Sequence, residues 1–373
     1  MYVVRDVPIP CACMAAVSDF YLNPTGLMTG TAAATACAEG LAARLVGGPV
    51  AFSGAEVIRR SEATRVVAAS TLPALRSCRE RGDASLSAAI EERLRAITAP
   101  RPPFAGLPLD RPRLMGVVNV TPDSFSEGGR YASAAAAIAH GRALMAAGAD
   151  ILDIGGESTR PGAAPVAVAE EIDRVVPVVE ALATAGALVS IDTRRAAVMR
   201  AALAAGARIV NDVTALAGDP ESPAVVAESG AAVVLMHMQG EPRTMQQDPV
   251  YGDAPLDIYD FFAARLAACA AAGIDASRIA LDPGIGFGKR DPHNLAVLAD
   301  LALYHGLGCA LLLGVSRKSF IGRLSRGEDA DHRLAGSLAA ALAGLERGVQ
   351  IIRVHDVAET AQAVAIWRAI ATA

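Results

Sequence analysis

The stretch LMGVVNVTPDSFSEGG, residues 114–129, joins a short apolar run to a long polar loop. The run ends at Asn119. A loop so rich in glycine and polar residues is typical of a mobile surface loop rather than of a packed connection. Seven further apolar runs follow, and each ends on residues able to bind or catalyse: residues 155–160, Asp192, Asn211, His237, Asp282, residues 316–318 and His355. This pattern predicts eight buried strands with polar carboxyl ends.

The segments between these runs are rich in alanine and have helical spacing, so the pattern is a strand followed by a helix, repeated. Glycines such as Gly148 and Gly230 stand just before the next run, where they would end a helix. Eight such units in about 260 residues match the size of a closed (β/α)8 TIM barrel. An open doubly wound sheet fits less well, because no Gly-x-Gly-x-x-Gly opens the first helix. The fold class is therefore α/β, with binding residues at the rim.

A small α+β domain of residues 1–98 is expected before the barrel. Strands are predicted at PVAF and TRVVAAS, and Leu86, Ile90, Leu94 and Ile97 fall on one face of a helix that Asp83 can cap. Residues 99–113 hold five prolines and read as an extended linker. The barrel then occupies residues 114–373, and residues 1–98 carry no recognisable catalytic group.

Composition excludes several classes of partner. The chain has 373 residues, a hydrophobic fraction of 53% and a net charge of −5, which gives no general attraction to nucleic acid or to anionic membranes. No apolar run approaches the roughly 20 residues needed to span a bilayer, and the N-terminus lacks signal-peptide features, so a cytoplasmic protein is expected. The six scattered cysteines are read as free thiols in a reducing compartment.

The first two rim loops offer ligands for a metal and for phosphate. The amide oxygen of Asn119 is suited to Mg²⁺, although an asparagine at a strand end is more often a turn residue. The loop GGESTRPG, residues 155–162, presents backbone amides, the Thr159 hydroxyl and the Arg160 guanidinium, which together suit a phosphate. A solvent-exposed turn is the alternative for this loop.

The remaining rim residues favour a heterocycle and an anion. Asp192, Asn211 and Asp282 would match the amino, ring N–H and carbonyl edges of a heterocycle, with structural caps as the alternative. A group of basic residues follows strands seven and eight, where such barrels commonly bind phosphate. These residues are Arg317, Lys318, Arg353 and His355. With Arg160 they predict an electropositive site, unless they form a solvated salt-bridge cluster. His237 is expected to be a packed, hydrogen-bonded residue.

Eight motifs in strand order resemble the dihydropteroate synthase family of barrel enzymes: LMGVVNVTPDSFSEGG, DILDIGGESTRPG, SIDT, IVNDV, LMHMQG, LDPGIGFGK, GVSRKSFIGR and RVHDV. The resemblance extends from about Leu114 to the C-terminus. It implies condensation of a dihydropterin diphosphate with 4-aminobenzoate, giving 7,8-dihydropteroate and pyrophosphate. It also implies a homodimer.

The resemblance further implies roles for individual residues. Asp192, Asn211, Asp282 and Lys318 would hold the pterin, Asn119 would ligate Mg²⁺, and Asp123 would close over the site. The diphosphate would be bound by Thr159, Arg160, Arg353, Val354 and His355. Phe287, Lys318 and Ser319 would line the aminobenzoate position.

Two other functions remain open from the sequence. A pterin-binding methyltransferase barrel would share the Asp and Asn residues, but it needs no diphosphate cluster and does not account for the TPDSF and SRKS loops. A catalytically idle paralogue that binds pterin as a regulator is disfavoured because every motif position holds the expected residue type.

Overall fold

The computed structural model describes residues 3–4, 20–60, 65–77, 84–120, 129–157, 166–241 and 244–373. Within them the chain forms a small N-terminal α+β unit and a closed barrel of eight parallel strands with helices outside. The fold class predicted from the sequence is confirmed.

The N-terminal unit is a five-stranded sheet covered by helices. Its strands are β1 (Val3–Val4), β2 (Phe20–Met28), β3 (Ala43–Arg44), β4 (Ala51–Arg60) and β5 (Arg65–Thr71), and its helices are α1 (Gly30–Ala38), α2 (Leu72–Ser77) and α3 (Ala84–Thr98). The sheet order is β1-β5-β4-β2, and β3 pairs with β4. The predicted apolar face of α3 is confirmed at Ile90, Leu94 and Ile97, which are buried in one cluster with Phe52.

The barrel strands follow one another around the ring in chain order. They are β6 (Arg113–Asn119), β7 (Ile151–Gly155), β8 (Val189–Asp192), β9 (Ile209–Asp212), β10 (Ala232–Met236), β11 (Ile279–Asp282), β12 (Ala310–Gly314) and β13 (Ile351–Val354). All eight neighbouring pairs are parallel, and β13 closes the ring on β6.

Helices connect the strands on the outside of the barrel. They are α4 (Gly129–Ala146), α5 (Val168–Thr184), α6 (Ala196–Ala204), α7 (Ser222–Ser229), α8 (Ala254–Ala271), α9 (Asp291–Ala299), α10 (Ser319–Leu324), α11 (Leu334–Leu345) and α12 (Val357–Ala371). Short 3-10 turns lie at Ala276–Arg278, Leu301–Leu307 and Ala330–His332. Gly230 ends α7 with φ 69°, which confirms the left-handed helix end read from the sequence.

The alternation of side chains along each strand produces two apolar cores. Outward residues such as Leu152, Val210 and Leu313 pack between strands and helices. Inward residues at the amino ends of the strands, among them Ile151 and Leu312, fill the lower barrel. The carboxyl ends are left to carry polar groups, as is usual for this architecture.

The segment between α3 and β6 does more than connect two units. Phe104 is 1% exposed and belongs to the lower barrel core, so this residue closes the bottom of the barrel. Its backbone is held by paired hydrogen bonds of 2.9 Å with Leu107. The proline-rich composition of this segment gives no sign of the buried aromatic side chain that it carries.

Among the described residues, none of the helices has both the length and the apolar character needed to cross a membrane.

Candidate active site

Strand register brings the predicted rim residues to one level. Asn119 pairs with Gly155, Gly155 with Asp192, and Asp192 with Asn211. On the other side of β6 the ring continues into β13, where Arg353 pairs with Gly314 of β12. A Cβ on Gly155 would lie 3.6 Å from the Asp192 Cβ, so the glycine leaves the space beside this carboxylate open.

Arg353 crosses the barrel mouth and joins two carboxylates. Its Nε donates to Asp153 Oδ2 at 2.6 Å, and Nη2 donates to Asp192 Oδ2 at 2.8 Å. Asn211 Nδ2 donates to the same Asp153 oxygen at 3.0 Å. Four inward side chains, from β7, β8, β9 and β13, thus form one hydrogen-bonded network, and charge-assisted bonds of this kind hold the side chains in fixed positions.

Asp153 is a residue of this network that the sequence analysis did not single out. It is fully buried in the middle of β7, and its Oδ1 has no hydrogen-bond partner among the described residues. The signal was present in the run DILDI, because an aspartate two residues after the inward Ile151 must also point into the barrel. An acid inside an apolar strand is a feature that requires a partner.

The network has a mixed electrostatic character. Burial raises the pKa of Asp192 to about 7, with Arg353 opposing the shift and Asp153 adding to it. For Arg353, burial alone would lower the pKa, but the Asp153 and Asp192 carboxylates outweigh burial and raise it. Arg353 is therefore a permanent cation, while Asp192 can change its charge near neutral pH.

Asp282 and Lys318 form the second half of the site. Asp282 Oδ1 accepts a 2.8 Å hydrogen bond from the Gly284 amide. Burial raises the pKa of Asp282, against the effects of that amide and of Lys318. Burial also lowers the pKa of Lys318 to about 8, with the Asp282 carboxylate opposing the shift. The Lys318 ammonium lies 4.0 Å from the centre of the Phe287 ring, within range of a cation–π contact.

The electropositive rim expected from the sequence is not found in the described part of the site. Arg317 is turned away by a left-handed backbone, φ 59°, and its guanidinium pairs with Asp356 and Asp331. Lys318 and Arg353 remain as cations of the site, and they face three carboxylates: Asp153, Asp192 and Asp282. Of these, Asp153 was not among the residues predicted from the sequence. The local sequence pattern does not show that Asp153 points into the site or that Asp356 and Asp331 neutralise Arg317, and Arg160 lies outside the described residues.

His355 is a neutral group at pH 7 before any ligand binds. Burial lowers its pKa to about 4, and the charges of Arg353 and Arg317 add to the shift. Its Nδ1 lies 3.0 Å from Ser316 Oγ, which also accepts a hydrogen bond from the His355 amide. The imidazole is therefore held in place as a hydrogen-bonding group rather than as a cation.

His237 is packed and hydrogen-bonded, as predicted, and its partner is a buried lysine that sequence reasoning missed. Lys289, 1% exposed, places Nζ 3.0 Å from His237 Nδ1 and donates to the carbonyls of Gly284 and Phe287 at 2.9 and 3.0 Å. Burial lowers the pKa of Lys289 to about 7. This lysine ties the loop after β10 to the loop that carries Phe287.

The family was identified by comparison with known proteins. A family model described as "Pterin binding enzyme" matches residues 115–355. The chain belongs to the pterin-binding enzyme family. Within this family it is a transferase of the dihydropteroate synthase type, because relatives that are 47% and 49% identical to it are dihydropteroate synthases, as the eight motifs predicted.

Relatives within the pterin-binding family are dihydropteroate synthases. The Escherichia coli K12 enzyme is 47% identical over 268 residues, covering 72% of this chain and 94% of the relative. The Neisseria meningitidis serogroup B enzyme is 49% identical over 267 residues, with coverages of 70% and 94%. The family match begins at residue 115, so the N-terminal unit lies outside it.

Solved structures of family members superpose on the barrel. Xanthomonas albilineans dihydropteroate synthase with 4-aminobenzoic acid has a TM-score of 0.67 and 49% identity, covering 71% of this chain and 96% of that one. The same enzyme in complex with 7,8-dihydropteroate has a TM-score of 0.65 and 46% identity, with coverages of 71% and 95%.

The other family positions differ in what the structure describes. Asp123, Thr159 and Arg160 lie outside the described residues. Ser319 is exposed at the start of α10, beside Lys318. The Val354 side chain is buried in the core between the strands and the outer helices, so any contact with a ligand would have to come from its backbone.

Asn119 is the described residue that the resemblance implies for Mg²⁺. It is exposed at the end of β6. Over the described ranges no cluster of three or more His, Cys, Asp or Glu side chains is placed to hold a metal. One amide oxygen fits an ion that keeps water and phosphate oxygens as its other ligands, which is the usual coordination of Mg²⁺.

Proposed function

We propose that the mouth of this barrel joins a dihydropterin diphosphate to 4-aminobenzoate and releases diphosphate, giving 7,8-dihydropteroate. The observation that carries the proposal is the convergence of Asp192, Asn211, Asp282, Lys318 and Arg353 at one end of the barrel. The relative from Xanthomonas albilineans binds 4-aminobenzoic acid and 7,8-dihydropteroate, which supports the same chemistry here.

The pterin ring is assigned to the inner part of the mouth. Ionised Asp192 and Asp282 accept hydrogen bonds from amino and ring N–H groups, whereas the amide of Asn211 both donates and accepts. Lys318 donates to a ring carbonyl or nitrogen. A ring bound by these groups replaces the water that such buried polar atoms otherwise need, so recognition is specific for a flat, polar heterocycle.

The aminobenzoate is assigned to the outer part, between Phe287 and Ser319. Lys318 lies over the Phe287 ring, so a benzoate bound beside that ring lies close to a cation. The exposed position of Ser319 at the start of α10 places a hydroxyl and a helix amide near the rim. The carboxylate of the aminobenzoate would be bound by Lys318 and Ser319, and its ring would pack beside Phe287.

The diphosphate is assigned to Thr159, Arg160, Arg353, Val354 and His355, with Asp123 closing over the site. Arg353 is held by Asp153 and Asp192 in this structure, so a diphosphate must compete with a carboxylate for its guanidinium. His355 donates as a neutral imidazole on arrival of the ligand. The negative charge of the diphosphate then favours the protonated form of the ring.

The reaction is proposed as an S_N1-like displacement. The carbon–oxygen bond to the diphosphate breaks, and its electron pair leaves with the diphosphate. The arylamine nitrogen then bonds to the exocyclic carbon and gives up one proton to solvent. Asp192, Asp282 and Asp123 stabilise the positive charge on the pterin, while Arg160 and Arg353 stabilise the leaving group. Mg²⁺, when bound at Asn119, supplies further neutralisation of the diphosphate.

A coupled assay tests this function. Purified protein is given both substrates, and pyrophosphate release and dihydropteroate formation are measured with and without Mg²⁺. Equal amounts of both products, dependent on both substrates, are expected. Methyl transfer to a corrinoid without pyrophosphate release indicates the methyltransferase alternative, and pterin binding without turnover indicates an idle paralogue. Either result contradicts the proposal.

We further propose a cytoplasmic homodimer. Ile366 and Ile370 on α12 are 60% and 67% exposed and lie one helical turn apart, which offers an apolar surface to a second copy. Free thiols at Cys37, Cys269 and Cys309 are consistent with a reducing compartment. We also propose the domain limits 1–98, 99–113 and 114–373 for the extension, the linker and the catalytic barrel.

A further inference from the structure

The N-terminal unit is attached to the start of α8 by ion pairs. Arg60, the last residue of β4, contacts Asp257 at 2.8 Å and Asp260 at 3.2 Å. The Tyr21 hydroxyl donates to both Asp260 oxygens, at 2.8 and 3.0 Å. These contacts connect the N-terminal unit to the first two turns of α8, the helix that follows the fifth barrel strand.

A second attachment point is more deeply buried. The side chain of Arg65 is 11% exposed and lies 3.6 Å from Asp253, the N-cap residue of α8, and 3.0 Å from Asp300. Asn23 donates to Asp300 at 3.1 Å and to Glu56 at 3.2 Å. Partly buried, multiply bonded arginines of this kind contribute more than an isolated surface pair.

Asp257, one of the carboxylates that pair with the N-terminal unit, also bonds to the backbone of the loop that leads into α8. Asp257 Oδ2 accepts hydrogen bonds from the amides of Gly252 and Asp253, at 2.9 and 3.1 Å. Its other oxygen, Oδ1, lies 2.8 Å from Arg60 Nη2. One carboxylate therefore connects the N-terminal sheet directly to the backbone next to Tyr251.

The loop after β10, described at residues 237–241 and 244–253, in turn supports the loop of residues 283–290. The Tyr251 hydroxyl donates to the Gly288 carbonyl at 2.7 Å, and Gln246 Nε2 donates to the Gly286 carbonyl at 2.6 Å. A Cβ on Gly288 would lie 2.3 Å from the Gln239 carbonyl oxygen, so the two backbones touch and glycine is required at that position, with φ 57°. Phe287 lies between the two supported carbonyls.

We propose that the N-terminal unit is a brace for the aminobenzoate end of the site, in which Arg60 and Arg65 act as positioning residues through Asp257 and Asp253. The brace holds the loop after β10, and this loop holds Phe287 in place for the arylamine. Three of the proposed pterin residues, Asp192, Asn211 and Arg353, lie on other strands and are held in one network through Asp153, and no hydrogen bond of that network involves the braced loop. The proposal rests on the function proposed above.

The test compares three variants of the full chain. Arg60→Gln removes the partly exposed ion pairs with Asp257 and Asp260. The double variant Arg60→Gln/Arg65→Gln also removes the more buried ion pairs of Arg65. Arg44→Gln is the matched control, because the Arg44 guanidinium donates to the Pro49 carbonyl within the N-terminal unit and forms no hydrogen bond or ion pair with the described residues of the barrel. KM for each substrate and kcat are measured, together with amide hydrogen exchange of peptides covering residues 244–253 and 284–290.

The double variant is expected to raise KM for 4-aminobenzoate about fivefold, with Arg60→Gln showing a smaller rise. KM for the pterin diphosphate should change less than KM for 4-aminobenzoate, and kcat should stay within about twofold, because only Asp282 and Lys318 among the proposed pterin residues contact the braced loop. Exchange should quicken in both loops. Arg44→Gln should behave as wild type in every measurement.

Other outcomes overturn the brace. Equal rises in both KM values indicate general loosening, and a lower kcat with unchanged KM values indicates loss of folded enzyme. If the double variant does not fold, Arg60→Gln alone decides the result. If the wild-type chain turns over neither substrate, the proposed function fails, whereas the exchange measurement still decides the brace: unchanged exchange in both loops refutes it.

Discussion

The lower and upper halves of the barrel interior use the same strands for opposite purposes. In β7, β9 and β13 an inward isoleucine is followed two residues later by an inward polar residue: Ile151 and Asp153, Ile209 and Asn211, Ile351 and Arg353. The lower positions form a dry core, and the upper positions form a charged network. Since one strand step of two residues covers about 7 Å, stability and chemistry are separated by a single layer.

The comparison teaches that variants in the two layers should fail in different ways. The lower layer gains its free energy from burial of apolar area, so its loss should reduce stability without changing the chemistry of the folded fraction. The upper layer holds charges that are costly to bury, so its loss should reduce activity with little cost in stability.

The largest expected effect is on turnover in the upper layer. Lys318→Ala and Asp282→Asn should each lower kcat/KM about 1,000-fold, because both residues are proposed to contact the bound pterin, while the free energy of unfolding is retained. Steady-state kinetics and urea denaturation check this. Leu312→Ala in the lower layer is the control, with activity per folded molecule preserved. Near-wild-type kinetics for both upper-layer variants would contradict the assignment of the site.

The next effect is on stability at the bottom of the barrel. Phe104→Ala should lower the free energy of unfolding by about 3 kcal/mol, because it empties a fully buried aromatic position. Denaturant titration measures the loss, and kinetics at low temperature should show an unchanged KM for both substrates. A change in KM without loss of stability would mean that the two layers are not independent.

The smallest effect is the pH dependence of the upper layer. Asp192, with a pKa of about 7, is a charged acceptor at both oxygens only when ionised, so kcat/KM for the pterin diphosphate should fall as pH drops below that value. Lys318, with a pKa of about 8, is a cation only below it, so the same parameter should fall as pH rises beyond that value. Lys318→Arg should move the alkaline limb upward if it retains activity, because arginine stays protonated. A flat profile from pH 6 to pH 9 would refute both titrations.

The barrel was predictable because its signal is repeated eight times. Each strand shows an apolar run and a polar end, and the helix-ending glycines mark the return of each helix. The rim positions at Asp192, Asn211 and Asp282 followed from the same pattern, since the carboxyl ends of parallel strands meet at one face.

The residues that sequence reasoning missed act through contacts with distant parts of the chain. Lys289 looks like the end of a glycine-rich loop, and only the fold shows that its ammonium is buried against His237. Phe104 sits in a proline-rich stretch whose composition indicates a linker. Arg317 was expected to contribute to an electropositive rim, because the sequence does not reveal that Asp356 neutralises it. Pairing partners far apart in sequence cannot be read from local pattern.

The brace contacts have a consequence for how the protein folds. Asn23 bonds to Asp300 across 277 residues of sequence, and Tyr21 bonds to Asp260 across 239. During synthesis the N-terminal unit emerges before the barrel, whereas Asp260 follows five of the eight barrel strands and Asp300 follows six. The unit made earliest therefore completes its interface late, and its four carboxylate-binding side chains stay in water until the barrel that they support has nearly formed.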